Sequence, residues 1–206
     1  VAVSANPMVC RVGALYHDIG KIVKPEFFSE NQGGGKNPHD DQNPSMSALI
    51  IKNHIKEGVE LAKISKMPPQ VIDAIKQHHG TSIISFFYNK AVKLAEEQNS
   101  AAAAQPLREI GVDESNYRHE GVKPQTVENA IIMLAASCEA ASRSLKKVTQ
   151  HGIAELVDAI VKGKISDGQL DECPITIKQI SKIKQSFVFT MMNMLHTRVE
   201  YNNGKK

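Results

Sequence analysis

Apolar residues in this chain recur at intervals of three and four, and no segment shows a convincing period-two run. Strands that bury one face need alternation, whereas helices need the longer period. The pattern therefore predicts an all-α chain of about seven helices, and proline, glycine and asparagine mark their ends. Asn6-Pro7 reads as a cap and first-turn pair for a helix over 7–19, with Val9, Val12, Leu15 and Ile19 on one face and Gly20 as its stop. Asn43-Pro44 opens a second helix with Ala48, Ile51, Ile55, Val59 and Ala62 at helical spacing. "MPPQ" breaks it and starts a third over 69–79, with Val71, Ile72 and Ile75 inward, ending at Gly80. Thr81 is expected to cap a fourth, "SIISFFYNKAVKLAEEQ". A fifth is expected over 125–145 (Val127, Ile131, Leu134, Cys138 and Ala141) and a sixth over about 149–165. Thr176 with Gln179 forms a capping box for the last, which turns Ile177, Ile180, Ile183, Phe187, Met191 and Met194 inward.

Two stretches stand apart. Residues 24–43 contain "PEFFSENQGGGKNPHDDQNP", a loop long enough to suggest function; its "GGGK" lacks the spacing and preceding strand of a Walker phosphate loop. Residues 99–124 read as a mobile linker and 201–206 as a frayed tail, within one domain spanning 1–206. Net charge is +3, too small to argue for binding to DNA or RNA polymers and compatible with a small anionic ligand. The odd number of cysteines (Cys10, Cys138, Cys173), without CxxC, reads as reduced thiols in a cytosolic setting. Neither a signal peptide nor an apolar run of spanning length is present. The start "VAVSANPMVC" reads as the edge of a soluble fragment.

Chemistry concentrates at the helix ends. "RVGALYHDIGK" closes an apolar helix with His17 and Asp18 side by side, and burying such a pair is costly unless something satisfies it. His54 sits on the flank of the second apolar stripe. His78 and His79 close the third helix. Each lies at an apolar–polar boundary, and the three occur in order on three successive helices. Imidazole nitrogen with carboxylate oxygen suits Zn, Mn or Fe, and one carboxylate can bridge two ions that clamp a phosphoryl displacement. Taken singly, a boundary histidine is usually a satisfied polar residue, "HD" is a common dipeptide, and "HH" can simply favour the helix dipole. His119, His151 and His196 show no partner pattern and are left as structural or surface residues.

"HDIGK", then His54, then "HHG" resembles the HD-domain phosphohydrolase superfamily. With "FFSENQ", "NPHD", "QHHGTS", "FFY", "KPQT", "EAASRSL" and "DGQLDEC", from about Ser4 to His196, the chain resembles the cytosolic HD domain of the PgpH-type cyclic-di-AMP phosphodiesterases. The Gly-Tyr-Pro signature of the cyclic-di-GMP branch is absent. The resemblance implies a single HD-domain helical bundle and two divalent metal ions, Mn or Fe, held by His17, Asp18, His54, His78 and His79, with Asp18 as the bridge. It implies cyclic-di-AMP as partner, opened to linear pApA. It also implies a cytoplasmic placement in a membrane-anchored parent protein, with a homodimer among the states left open. Lys21 would neutralise a phosphate or protonate the leaving oxygen, and Arg143 would contact a phosphate, against their readings as a solvated helix-end lysine and a surface salt bridge. Asn37 and His39 in the Gly-rich loop would touch substrate. Tyr88, with Phe86 and Phe87, would stack on adenine, although core packing claims at least two of the three.

Two departures qualify that implication. The family carries a further metal-binding His on a helix before "VGALYHDIGK", which this sequence does not reach. It also carries a metal-binding Asp where this chain has Ala136, in "MLAASCEAAS". Alanine cannot ligate, whether it is a natural loss or an introduced change, and Glu139 lies one turn further on as a substitute of different reach. The readings that follow are an impaired phosphodiesterase, a nucleotide sensor without turnover, and an interaction domain with no metal at all.

Overall fold

A polar side chain caps most of the helices in the computed structural model, which describes residues 3–32, 37–98, 111–145 and 147–196. Among these residues there are seven α-helices: α1 Pro7–Tyr16, α2 Pro44–Ile64, α3 Pro69–Gln77, α4 Ser85–Gln98, α5 Val127–Ser142, α6 Gln150–Ser166 and α7 Ile177–His196. They contain no strand, only one isolated bridge between Ile83 and Arg118. The all-α expectation holds.

The caps explain where helices start. The Asn6 side-chain oxygen accepts from the Met8 amide at 3.0 Å, and that of Asn43 from the Met46 amide at 2.7 Å. Thr126 and Thr149 do the same for α5 and α6. At α7 the capping box is complete: Thr176 Oγ1 accepts from the Gln179 amide at 3.2 Å, and Gln179 Oε1 accepts from the Thr176 amide at 2.9 Å. Each cap satisfies a donor that the first helical turn leaves open.

Several boundaries and faces differ from expectation: the third helix ends at Gln77 and the fifth spans Val127–Ser142, each shorter than the apolar period suggested. The first helix ends at Tyr16, and Ile19–Val23 continues as a tighter 3-10 turn, which puts His17 and Asp18 in the corner between them. Thr81 does not cap the fourth helix; residues 82–84 run extended and bridge to Arg118, so α4 begins at Ser85. Of the faces read as inward, Leu15, Ile177 and Met194 are exposed. Each sits near the end of a helix, beyond where the packing partners reach.

The helices group into two compact units, residues 15–122 and residues 1–14 with 123–206, the boundary falling within α1. In the second, α5, α6 and α7 enclose Ala130, Met133, Leu134, Cys138, Ile153, Val157, Val161 and Ile183. In the first, α2 carries the site. Ala48, Phe87, Ala91 and Tyr117 form one of its clusters, and Ile55, Ala62, Val71, Ala74 and Ile75 are buried along α2 and α3. Of the stretch expected to be a mobile linker, residues 99–110 lie outside the described residues. Of residues 111–124, Tyr117, His119 and Pro124 are buried and most of the others are exposed. The expected frayed tail also lies outside the described residues. No helix among the described residues is long and apolar enough to cross a membrane.

Candidate metal centre

The site forms because the 3-10 turn after Asp18 lies directly on α2 with no side chain between them. A β-carbon on Gly20 would overlap the His54 carbonyl oxygen and lie 2.6 Å from the Gly58 amide nitrogen. Only glycine permits this approach, and it brings Asp18 to the histidines of α2 and α3.

Asp18 then faces two ways. Its Oδ2 lies 2.7 Å from Lys21 Nζ and 3.2 Å from His17 Nε2. Its Oδ1 points inward, 3.5 Å from His54 Nε2 and 3.4 Å from His78 Nε2. The two ring nitrogens are 3.2 Å apart. The opposite edge of each ring fixes what these atoms can be. His54 Nδ1 donates to the Ile51 carbonyl at 2.5 Å, and His78 Nδ1 donates to the Ile75 carbonyl at 2.8 Å. A neutral imidazole has one N–H, so both Nε2 atoms present lone pairs. Burial keeps these rings neutral: it pushes His54 down to about 4, helped by neighbouring His78, and pushes His78 down as well. His79 is lowered further, by burial first and then by the adjacent His78 and His119.

The result is a buried pocket of one carboxylate oxygen and imidazole lone pairs. Asp18 Oδ1 is buried with no hydrogen-bond partner. Protein groups alone leave it costly; a divalent cation satisfies it and both nitrogens together. Asp18, His54, His78 and His79 each offer a ligand atom, all within 4.8 Å of one another. His17 stands outside this group at the outer oxygen of Asp18, its ring edge-on to His78 at 4.9 Å. The donor set therefore fits a borderline divalent ion.

Lys21 is held by Asp18 and by Glu30 Oε1 at 2.5 Å, above the Phe28 ring. Burial lowers its pKa, and the two carboxylates outweigh that, so it stays charged. Phe28 is itself buried, edge-on to His54 at 5.7 Å, and walls the pocket. Nothing in the spacing singled out Phe28 or Glu30; "FFSENQ" pointed to the segment but not to its role.

Other expected site residues are engaged elsewhere. The Asn37 side-chain oxygen accepts from the His39 amide at 3.0 Å and from Gln32 Nε2 at 3.3 Å, capping the 3-10 turn Pro38–Asp41. His39 is buried; its Nε2 donates to the Phe27 carbonyl at 2.9 Å and its ring packs on Phe87. Both fasten the loop instead of facing outward. Phe87 is buried and Tyr88 half-buried against Tyr117, leaving Phe86 as the exposed aromatic of the three. Arg143 makes a bidentate pair with Glu139, at 3.2 and 2.7 Å, on the surface of α5. The phosphate contact and the substitute ligand thus hold each other. His151 is exposed beside Glu155 at 3.2 Å. The side chain of His196 lies outside the described residues. His119 is buried, stacked on His79 with ring centroids 4.2 Å apart and planes 3° from parallel.

The helical fold and a His–Asp cluster of this kind define the HD domain, whose family model matches residues 2–141; the chain belongs to that family. It is 42% identical over 203 residues to the cyclic-di-AMP phosphodiesterase PgpH of Listeria monocytogenes, covering 98% of this chain and 26% of that protein. It is 38% identical over 205 residues to PgpH of Bacillus subtilis, covering 100% and 27%. The crystal structure of the Listeria PgpH HD domain in complex with cyclic-di-AMP superposes with a TM-score of 0.81 at 43% identity, over 92% of this chain and 82% of that one. The chain spans about a quarter of the length of the curated relatives it matches.

Proposed function

We propose that this chain is the HD domain of a metal-dependent phosphodiesterase that opens cyclic-di-AMP to linear pApA. The observation that carries the reading is the buried, donorless Asp18 Oδ1 facing two imidazole lone pairs. The choice of substrate is supported by its likeness, at 43% identity, to a domain crystallised with cyclic-di-AMP. Asp18, His54, His78 and His79 would hold one ion. His17 and the outer oxygen of Asp18 would serve a second, with Mn or Fe as the metals the resemblance implies. Bound there, the ions supply charge neutralisation and an activated water for in-line attack on phosphorus. Lys21 holds its proton beside Asp18, where its charge can meet a phosphate oxygen or its proton a leaving oxygen. Phe28 shields the histidines from bulk water, which strengthens every charge interaction inside. The parent protein places this domain on the cytoplasmic side of a membrane.

A second reading is a cyclic-dinucleotide sensor without turnover. It is favoured by Ala136, which cannot ligate, and by Glu139, whose carboxylate Arg143 already engages. One experiment separates them: metal per chain on protein purified without added metal, followed by cyclic-di-AMP hydrolysis with Mn²⁺ for the chain and for Ala136→Asp. The enzyme reading expects metal in the chain and a gain in turnover of at least tenfold for A136D, on the scale of restoring a lost metal ligand or its support. Tight cyclic-di-AMP binding with no pApA from either protein selects the sensor. No metal uptake at excess Mn²⁺ and no nucleotide binding refutes both.

A further inference from the structure

His54 and His78 are oriented in the same way, by an Nδ1–H donated to a carbonyl of their own helix. Metal-binding histidines almost always have such a partner on the far nitrogen, which fixes ring and tautomer. His79 is different. Among the described residues no hydrogen bond fixes its ring; the contacts on it are the rings of His54, His78 and His119. Only the His119 contact is a parallel stack, 4.2 Å between centroids and 3° between planes.

The backbone delivers His119 to that place. The His119 amide donates to the Ser82 carbonyl at 3.0 Å, Gly121 to Gly80 at 3.1 Å and Val122 to Lys76 at 3.2 Å. A β-carbon on Gly121 would sit 2.6 Å from the Lys76 carbonyl oxygen and 2.7 Å from that of Gly80, so the segment is drawn tight over the end of α3. Four residues of chain are thereby fastened to the turn that carries His78 and His79, and a buried imidazole is laid flat on the second of them.

We infer that His119 is a positioning residue for the metal centre: its ring face, in place of a hydrogen bond, holds the His79 imidazole in the plane from which it can ligate. The inference rests on the metal-centre reading and goes beyond it. The probe is Co²⁺ alone, added to metal-stripped protein and followed by visible absorption, which reports both uptake and coordination geometry. His119→Phe keeps a flat ring on His79; His119→Leu fills the space without a plane. Melting in EDTA confirms that both fold. The expected result is Co²⁺ affinity for H119F within about threefold of the unmodified chain, with the same absorption band, and for H119L at least about tenfold weaker with an altered band. Unchanged binding by H119L overturns the inference. So does H119F binding as weakly as H119L, which would make the ring nitrogen, not the ring face, the working part. Should H119L fail to fold, H119F decides alone on the same thresholds. No uptake by the unmodified chain refutes the metal centre and this inference with it, whereas uptake that is equal in H119L refutes only the stack.

Discussion

Replacing Asp18 by asparagine should make the metal-free protein more stable. In the unmodified chain Asp18 Oδ1 is buried without a donor, 3.5 and 3.4 Å from two imidazole nitrogens that each present a lone pair. A carboxamide has the same shape and can turn its NH₂ toward those lone pairs and its oxygen toward Lys21. Satisfying a buried orphan of this kind is worth about 1–3 kcal/mol. Against this, Lys21 exchanges a charged acceptor for a neutral one, which costs about 1 kcal/mol, while its contact with Glu30 at 2.5 Å remains. The net is about 1 kcal/mol in favour of D18N, or roughly 2–4 °C in Tm for a chain of this size. Metal reverses the order. At free Mn²⁺ a hundredfold above its Kd the unmodified chain gains about 2.7 kcal/mol, whereas D18N lacks the anionic ligand and gains little. The assay is thermal melting by circular dichroism, first in EDTA and then across a Mn²⁺ titration. A D18N protein that melts below the unmodified chain in EDTA refutes the claim that Oδ1 is unsatisfied. Parallel rises in Tm with Mn²⁺ refute the claim that it is a ligand.

Three further outcomes follow from the packing. Gly20→Ala should cost about 3 kcal/mol, because its β-carbon meets backbone that cannot move aside; Gly58→Ala, whose β-carbon would lie 3.0 Å from Ile75 Cγ2 and 3.2 Å from the Gly20 amide nitrogen, should cost less, since the contact is looser and helix propensity returns about 1 kcal/mol, and denaturant melts of the two variants test the contrast. Burial lowers Lys164 to about 8, against an ordinary 10.5, so between those values the unfolded chain binds more protons and this residue's contribution to stability rises with pH. Lys164→Met should therefore stabilise most below pH 8, its advantage shrinking to nothing by about pH 10.5, which paired melts over that range would show. Asn43→Ala removes the cap that accepts from Met46 and should lower stability by about 1 kcal/mol, read as a shift in denaturant midpoint with unchanged slope.

What could be read from the sequence was what local chemistry decides. The Asn-Pro pairs and the Thr176 capping box set the starts of three helices, while Thr81 did not, and the order of "HDIGK", His54 and "HHG" located the cluster, because each lies at the border of an apolar stripe. What could not be read depends on chain segments meeting. His119 looked solitary because its partner is forty residues earlier, joined to it by backbone bonds that carry no side-chain signature. Asn37, His39 and Arg143 carry groups suited to a ligand, and a sequence does not reveal that Gln32, Phe27 and Glu139 already occupy them. Leu15 and Ile177 fit the helical period, but periodicity gives the direction of a side chain and not whether anything stands opposite it. Tyr16 ending α1 early was hidden for a related reason: the 3-10 turn that follows is held by the approach of Gly20 to α2, a tertiary contact.

That approach has a consequence for how such a domain can change over time. Where two helical segments meet through side chains, each substitution in the contact resets their spacing, and anything mounted on them drifts. Between Gly20 and α2 the touching surfaces are main chain, which every sequence shares. The register of Asp18 on His54 is thus set by atoms that substitution does not alter. The apolar residues around it are free to be exchanged one for another so long as Gly20 stays.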